Sequence, residues 1–357
     1  MAKSKTRRIG ILTAGGDCPG LNAAIRAVGK SAVGEYGMEL LGIPDGFAGL
    51  IENRWRLLNM SDLSGILTLG GTLLRTSRVK PNRYELPDGT VVDMTGTAVE
   101  SYRSMALDCL VCLGGGGTQR NALHLMQAGE INVVTLPKTI DNDIWGTDVC
   151  FGFDTAVSIA TEAIDRLHST ADSHRRIMVL ELMGNKSGWL ALAAGIAGGA
   201  DVVLIPEVPY DLDAVAESIR ERDRRGKRFS IVAVAEGARP IGDTDDDVEH
   251  ADETHHVATQ VSRRLENLTG LEARVTVLGH VQRGGSPTST DRLLATRVGT
   301  AATETLADGE YGVLIGVRGE QCVRVPLDEI AAKRRVVPLD HELVTSARQI
   351  GMCLGDE

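Results

Sequence analysis

The chain has 357 residues, of which 43% are hydrophobic and 24% are charged, and this composition is typical of a globular protein with a sizeable core. It carries 38 Lys and Arg against 48 Asp and Glu, so its net charge of −10 excludes general nucleic-acid binding, which needs a basic surface. No window approaches the ~20 apolar residues of a membrane-spanning helix, and the apolar run after the basic N-terminus is too short for an export signal. We therefore expect a cytoplasmic protein with no membrane partner.

Short apolar runs alternate with helical patterns along the chain. Because nearly continuous runs of Val, Ile and Leu suit strands that are buried on both faces, the alternation predicts an α/β fold with mostly parallel sheets. The predicted strands are residues 9–12, 110–113, 133–136, 177–182, 202–205 and 231–234. The predicted helices are residues 21–32, 119–128, 154–167 and 212–224.

Cysteines and acidic residues each suggest a metal site that a simpler interpretation outweighs. The 6 cysteines are sparse, as expected of reduced thiols. Cys109 and Cys112 have C-x-x-C spacing, but they lie inside an apolar run, so a buried strand is favoured over a zinc or redox site. Residues 240–256 are rich in Asp and Glu, and we expect a solvated acidic loop there.

Two glycine-rich turns each join a predicted strand to a predicted helix. The first, Gly15-Gly16-Asp17, lacks both the Lys-Ser/Thr pair of a Walker loop and the G-x-G-x-x-G spacing, so a plain tight turn remains an alternative. The second contains four consecutive glycines, residues 114–117, and each glycine costs roughly 0.5–1 kcal/mol of chain entropy relative to alanine. A connection with no ligand does not need four glycines. The second turn therefore predicts a phosphate or nucleotide site on bare backbone.

Two further segments carry charged side chains that suit a phosphate site. In Lys138-Thr139-Ile140-Asp141-Asn142-Asp143, two carboxylates beside a phosphate site make sense if they hold Mg²⁺ or accept a proton from a hydroxyl. An Asx-turn is the alternative. Around Gly279-His280 and Gln282-Arg283, the imidazole and the guanidinium group can converge on one anion, although a polar turn explains the segment equally well.

Taken together and in this order, the four motifs resemble the phosphofructokinase family. The segments GILTAGGDCPGLNAAIRAV, PKTIDNDIWGTD, SHRRIMVLELMG, AAGIAGGAD, VAEGA and VLGHVQRGGSP occupy the expected relative places over residues 8–316. The resemblance implies two Rossmann-like three-layer α/β domains with mostly parallel sheets and an active site in the cleft between them. Residues 1–152 with about 282–335 would form the larger, phosphoryl-donor-binding domain, and residues 153–281 with about 336–357 the smaller, sugar-phosphate-binding domain.

The implied reaction is phosphoryl transfer from ATP, with Mg²⁺, to the 1-hydroxyl of fructose 6-phosphate, giving fructose 1,6-bisphosphate in glycolysis. The resemblance implies that Asp141 is the general base, that Thr139 and Arg78 act on the transferred group, and that Asp143 is the carboxylate near the metal. The implied donor-binding residues are Gly16, Arg78, Val79, Gly115, Gly116, Gly117, Thr118 and Lys138. The implied sugar-phosphate residues are Thr139, Asp141, Arg176, Met183, Gly184, Asn185, Glu236, Arg274, His280 and Arg283. In this family the arginines at 176 and 274 reach the 6-phosphate from a neighbouring subunit, so a homodimer or homotetramer with shared active sites is expected.

The sequence departs from the family pattern at two positions. Gly116 stands where an acidic residue usually helps to hold Mg²⁺, and Asn185 stands where an arginine usually follows Met-Gly. Gly117 is typical of ATP users, whereas Lys138 is typical of pyrophosphate users and of a mixed ATP-dependent subgroup. ATP is therefore the predicted donor, and the alternatives are a pyrophosphate-dependent enzyme or a weakly catalytic regulatory paralogue.

Overall fold

The computed structural model describes residues 4–243 and 256–356, so most of the acidic loop predicted over 240–256 lies outside the described residues. Contacts between residues divide the chain into two units. The first unit comprises residues 1–155 and 283–334, and the second comprises residues 156–282 and 335–357. Within the described residues, no helix is both long and apolar enough to cross a membrane.

Strands and helices alternate through both units. The strands are β1 (Arg8–Ala14), β2 (Glu39–Ile43), β3 (Arg56–Leu57), β4 (Tyr84–Glu85), β5 (Val91–Val92), β6 (Cys109–Gly114), β7 (Val133–Pro137), β8 (Ile177–Leu182), β9 (Val202–Leu204), β10 (Ser230–Ala235), β11 (Ala273–Val277), β12 (Val313–Arg318) and β13 (Gln321–Pro326). The helices are α1 (Leu21–Gly34), α2 (Phe47–Ile51), α3 (Thr95–Ser104), α4 (Gly116–Gly129), α5 (Phe153–His174), α6 (Trp189–Gly198), α7 (Leu212–Arg224), α8 (Val257–Thr269), α9 (Ser289–Asp308), α10 (Leu327–Ile330) and α11 (Glu342–Gln349), with a 3₁₀ helix over Gly279–Arg283.

The first unit is built on a seven-stranded sheet in the order β13-β12-β7-β6-β1-β2-β3. The pairs β1–β2, β1–β6, β6–β7 and β7–β12 are parallel, and the outer pairs β12–β13 and β2–β3 are antiparallel. Every residue of β6 and β7 is buried, so both faces of the sheet are covered at its centre. The glycine-rich turns after β1 and β6 consequently leave the same edge of the sheet, where parallel strands end.

The second unit is built on a four-stranded, fully parallel sheet in the order β11-β8-β10-β9. Its buried core includes Ile177 and Val179 of β8, Val232 of β10, and Val261 and Leu265 of α8. Together with the first unit, this sheet confirms the predicted α/β fold with mostly parallel sheets.

Candidate active site

The turn after β1 is fixed to the segment that carries Arg78. The Gly15 amide donates a hydrogen bond to the Ser77 carbonyl at 2.9 Å, and the Thr76 hydroxyl donates to the Gly15 carbonyl at 2.7 Å. Gly15 has a φ of 84°, a left-handed conformation that glycine adopts without strain. These two bonds hold the segment that precedes Arg78 against the turn after β1, and the Arg78 side chain is exposed.

The turn after β6 leads directly into a helix. The helix α4 begins at Gly116, three residues before the predicted start at Gln119. The reason is that the Gly115 carbonyl accepts hydrogen bonds from the amides of Thr118 and Gln119, at 2.9 and 3.1 Å. Gly116 and Gly117 therefore form the first helical turn, where backbone amides lack helical partners and the helix dipole favours an anion.

Thr118 joins the two glycine-rich turns. Its hydroxyl donates to the Ala14 carbonyl at 3.3 Å, at the end of β1. A Cβ atom on Gly114 would lie only 2.0 Å from the same hydroxyl oxygen. Glycine at 114 is thus required by this close approach, which brings the ends of β1 and β6 together.

The segment after β7 adds the charged groups. Lys138 is only 4% exposed, and its ammonium group donates to the Gly16 carbonyl. Burial is the largest effect on the pKa of Lys138 and lowers it below the ordinary value of 10.5. The Asp141 amide donates to the Thr139 hydroxyl at 3.1 Å. A single stretch therefore holds a cation, a hydroxyl group and a carboxylate next to the first turn.

Asn142 holds the backbone between the two carboxylates of this stretch. It is buried, and its backbone has a φ of 53°. This left-handed conformation is uncommon for residues other than glycine. Its side-chain oxygen accepts a hydrogen bond from the Cys150 amide at 2.9 Å. The turn that separates Asp141 from Asp143 is thereby tied to the following loop.

One cavity of about 310 Å³ in the first unit gathers these groups. The predicted site residues that line it are Gly16, Arg78, Val79, Gly115, Gly116, Gly117, Thr118, Lys138, Thr139, Asp141, Asp143 and Arg283. Arg283, predicted as a ligand of the sugar phosphate, thus lies among the predicted donor residues. Its guanidinium group donates to the Asp17 carbonyl at 3.1 Å, and a Cβ atom on Gly16 would lie 2.3 Å from one of its nitrogens.

The carboxylates of this cavity fit Mg²⁺ rather than a metal held by the protein alone. Asp141 and Asp143 both line the cavity, and the Asp143 side chain is 21% exposed. Within residues 4–243 and 256–356, no group of three or more His, Cys, Asp or Glu side chains is arranged to hold a metal. Mg²⁺ usually takes one or two carboxylates and completes its shell with water and phosphate oxygens, which this cavity can supply when a phosphoryl donor is bound.

The second unit brings four predicted sugar-phosphate residues together. After β8, the Met183 amide donates to the Gln282 side chain at 3.3 Å, and the Gly184 amide donates to the Glu236 carboxylate at 3.4 Å. Asn185 is exposed beside them. Gly184 has a φ of 127°, so the backbone turns sharply at the end of the strand.

Arg176 and Arg274 are paired through one carboxylate. The guanidinium group of Arg176 lies 2.6 Å from the Glu272 carboxylate, and that of Arg274 contacts its other oxygen. Arg176 is the main cause of the lowered pKa of Glu272. His280 is exposed in the 3₁₀ helix that follows β11.

Sequence reasoning missed Gln282, Glu272 and Arg334. Gln282 is fully buried and binds the Met183 amide, and it lies inside the quoted GHVQRGG segment, so its position in the motif was the available signal. Glu272 precedes β11 in a stretch without a motif. The Arg334 guanidinium group lies 3.5 Å from the Asp143 carboxylate, a contact between segments far apart in the chain that no local pattern reveals.

The comparison with known proteins identifies the family. A sequence profile described as Phosphofructokinase matches residues 8–306. The chain belongs to the phosphofructokinase family. An ATP-dependent 6-phosphofructokinase of Spirochaeta thermophila is 53% identical over 100% of both chains. One from Bacteroides thetaiotaomicron, ATP-dependent 6-phosphofructokinase 3, is 50% identical over 98% of this chain and 100% of that protein.

Solved phosphofructokinases have the same fold. The crystal structure of Pichia pastoris phosphofructokinase in the T-state superposes with a TM-score of 0.80 at 32% identity over 92% of this chain, which spans only 35% of that chain's length. A pyrophosphate-dependent phosphofructokinase from Nitrosospira multiformis superposes with a TM-score of 0.81 over 98% of this chain and 89% of that one, and at 20% identity this likeness concerns the fold alone.

Proposed function

We propose that this chain is an ATP-dependent 6-phosphofructokinase. It transfers the terminal phosphoryl group of ATP to the 1-hydroxyl of fructose 6-phosphate and yields fructose 1,6-bisphosphate, a step of glycolysis. The observation that carries the proposal is the 53% identity, over the full length of both chains, to an enzyme named for this activity. A cytoplasmic location is part of the same proposal.

In this proposal the cavity of the first unit binds the phosphoryl donor. The first-turn amides at Gly116 and Gly117 lie at the positive end of α4, where phosphate oxygens are favoured. A Cβ atom on Gly117 would meet no atom nearer than a nitrogen of Arg120 at 4.0 Å, so the space above this residue is open to the donor. Lys138 and Arg78, which line the same cavity, neutralise the polyphosphate charge.

Asp143 would hold Mg²⁺ together with the donor phosphates, and the bound metal would neutralise charge that develops on the transferred group. Asp141 accepts the proton of the sugar hydroxyl as that oxygen bonds to the γ-phosphorus of ATP. The bond between this phosphorus and the bridging oxygen of the β-phosphate breaks, and ADP leaves. The Thr139 hydroxyl donates a hydrogen bond to the transferred phosphoryl group. It also accepts a hydrogen bond from the Asp141 amide and so orients the base. These assignments need no covalent intermediate between the enzyme and the phosphoryl group.

The second unit binds the sugar phosphate in this proposal. Glu236 accepts hydrogen bonds from sugar hydroxyls beside the Met183 and Gly184 backbone and the Asn185 side chain. His280 binds the 6-phosphate, and Arg176 and Arg274 complete that site from a neighbouring subunit. The arrangement requires a homodimer or a homotetramer.

A direct assay tests the activity. The purified protein is incubated with fructose 6-phosphate and Mg²⁺, with ATP or pyrophosphate in separate reactions, and fructose 1,6-bisphosphate is measured through aldolase. We expect kcat/KM for ATP to exceed that for pyrophosphate by at least about tenfold. An Asp141→Asn protein, purified identically, controls for contaminating kinases. Turnover that the wild type and this variant share equally would overturn the proposal.

Pyrophosphate dependence is the second candidate, and Lys138 is the observation that favours it. Its buried ammonium group lies beside the turn after β1, where it can neutralise part of the negative charge of pyrophosphate. Faster turnover with pyrophosphate than with ATP would select this candidate. A weakly catalytic regulatory paralogue would show sugar-phosphate binding without turnover from either donor.

A further inference from the structure

Arg334 lies against the carboxylate that the proposed function gives to the metal. Its Nε atom is 3.5 Å from the Asp143 Oδ2 atom, and the two side chains are 41% and 21% exposed. The backbone fixes this approach, because Arg334 forms an antiparallel bridge with Ile144. The preceding residue, Lys333, places its ammonium group 5.8 Å from the centre of the Trp145 ring. The two segments therefore run side by side, and the backbone bridge keeps Arg334 close to Asp143.

The contact matters because carboxylates are few in this cavity. Asp141 and Asp143 are the acidic residues among those that line it, and Gly116 supplies none. If Asp141 must remain available to accept a proton, Asp143 is the carboxylate left for a divalent cation. A guanidinium group and a divalent cation both require the same negative charge, so binding of one weakens binding of the other.

We propose that Arg334 is a displaceable counter-ion of Asp143 that sets the metal requirement of the donor site. The proposal rests on the proposed function and extends it. In the donor-free protein, Arg334 neutralises Asp143 and lowers its affinity for free metal ions. When a donor brings the metal with its phosphates, Arg334 would leave the Asp143 carboxylate, which would then hold the metal. The guanidinium group, which is 41% exposed, is hydrated after it leaves.

A binding measurement tests this without turnover. Calorimetry gives the dissociation constant of a non-hydrolysable ATP analogue twice, once with EDTA and once with saturating Mn²⁺. The dissociation constant with EDTA divided by the dissociation constant with Mn²⁺ measures how strongly the metal promotes donor binding. We expect Arg334→Gln to raise this ratio about two- to fivefold, the range that corresponds to losing one partly exposed ion pair. Arg334→Lys, which keeps the charge, should leave the ratio near that of the wild type.

Two control variants separate the possible failures. Lys333→Gln removes the neighbouring cation, which contacts Trp145 rather than Asp143, and should leave the ratio unchanged. Asp143→Asn should lower the ratio. If Asp143→Asn lowers it while Arg334→Gln equals the wild type, Arg334 is not a counter-ion and the metal assignment stands. If Asp143→Asn has no effect, the metal assignment fails and the inference fails with it. Should the ATP analogue not bind to the wild type, the proposed ATP use is wrong, and imidodiphosphate serves as the probe in the same comparison.

Discussion

The ammonium group of Lys138 donates a hydrogen bond to the backbone carbonyl of Gly16. This contact joins the charged segment after β7 to the glycine-rich turn after β1. One cation therefore holds two of the segments that line the cavity. Because Lys138 is buried, its charge is costly until an anionic donor arrives. The donor site is in this respect organised at the expense of stability.

Replacing Lys138 with methionine should therefore stabilise the donor-free protein at neutral pH while weakening donor binding. Burial lowers the pKa of Lys138, so between that lowered value and 10.5 the unfolded chain binds more protons than the folded one. The free energy of unfolding of the wild type should then rise with pH across this window. The advantage of Lys138→Met should shrink accordingly. Urea unfolding of both proteins at about pH 8 and about pH 10 measures the difference, and a gap that widens with pH would contradict the assignment.

Asp141→Asn should leave fructose 6-phosphate binding largely intact and reduce kcat by roughly 10²–10⁴-fold, because an amide cannot accept the hydroxyl proton. Steady-state kinetics with ATP and calorimetry with the sugar phosphate give the two quantities. Circular dichroism checks that the variant is folded. A variant with wild-type kcat would remove Asp141 from the role of base.

Arg176→Ala should raise the KM for fructose 6-phosphate by about 10- to 100-fold and change the KM for ATP little, since a charge-assisted bond to phosphate is lost. Arg274→Ala should behave alike. The paired Glu272 loses a partner in either variant, so a thermal unfolding curve is needed beside the kinetics.

Mixing tests whether these arginines act across subunits. After subunit exchange, Arg176→Ala combined with Asp141→Asn should regain activity, because hybrid oligomers can assemble one site with both residues intact. A mixture that stays inactive although hybrids are detected by native mass spectrometry would argue against shared sites.

Gly117→Asp should reduce kcat/KM for ATP by about 10²-fold or more, because its carboxylate would enter the space left open for the donor and repel phosphate. Gly117→Asn has nearly the same shape without the charge and serves as the matched control. Similar losses in the two variants would indicate crowding rather than repulsion. Retained use of pyrophosphate by Gly117→Asp would place the conflict at the nucleotide end of the donor.

Gly116→Asp should lower the Mg²⁺ requirement only when Arg120 is also neutralised. A Cβ atom on Gly116 would lie 3.8 Å from a guanidinium nitrogen of Arg120, one helical turn along α4. An aspartate at position 116 should therefore pair with Arg120 rather than with the metal. Titration of activity with Mg²⁺ compares Gly116→Asp, Arg120→Gln and the double variant. A lowered requirement in the Gly116→Asp single variant would show that Arg120 does not compete.

The buried strands were predictable from the sequence because their apolar runs are continuous. β8 was predicted with its observed bounds, and β6 and β10 within a residue at each end. The strand β11 was missed, because it lies at the edge of its sheet and exposes Arg274, Val275 and Val277, which breaks the apolar run. Whether an edge segment forms a strand depends more on pairing with its neighbour in the sheet than on its own composition.

The helix α9 was missed for a different reason. It contains Gly299, which lowers helix propensity, but a Cβ atom there would lie 2.7 Å from the Ala27 side chain. Glycine is needed where α9 packs closely on α1, and this requirement appears only in the folded chain. The site divides in the same way: residues within motifs were found, whereas Glu272 and Arg334 act through partners distant in sequence.

The order of strands in the first unit constrains how the protein is made on the ribosome. β7 pairs on its outer side with β12, and α1 packs on α9, yet most of the second unit is translated between these partners. During synthesis, the outer edge of β7 therefore has no partner strand until β12 emerges. All four strands of the second unit, β8 to β11, emerge before β12. An open parallel edge invites pairing with other chains. The yield of folded protein should accordingly fall as the time between synthesis of β7 and of β12 grows. Chaperones that cover the β7 edge during this time should raise the yield.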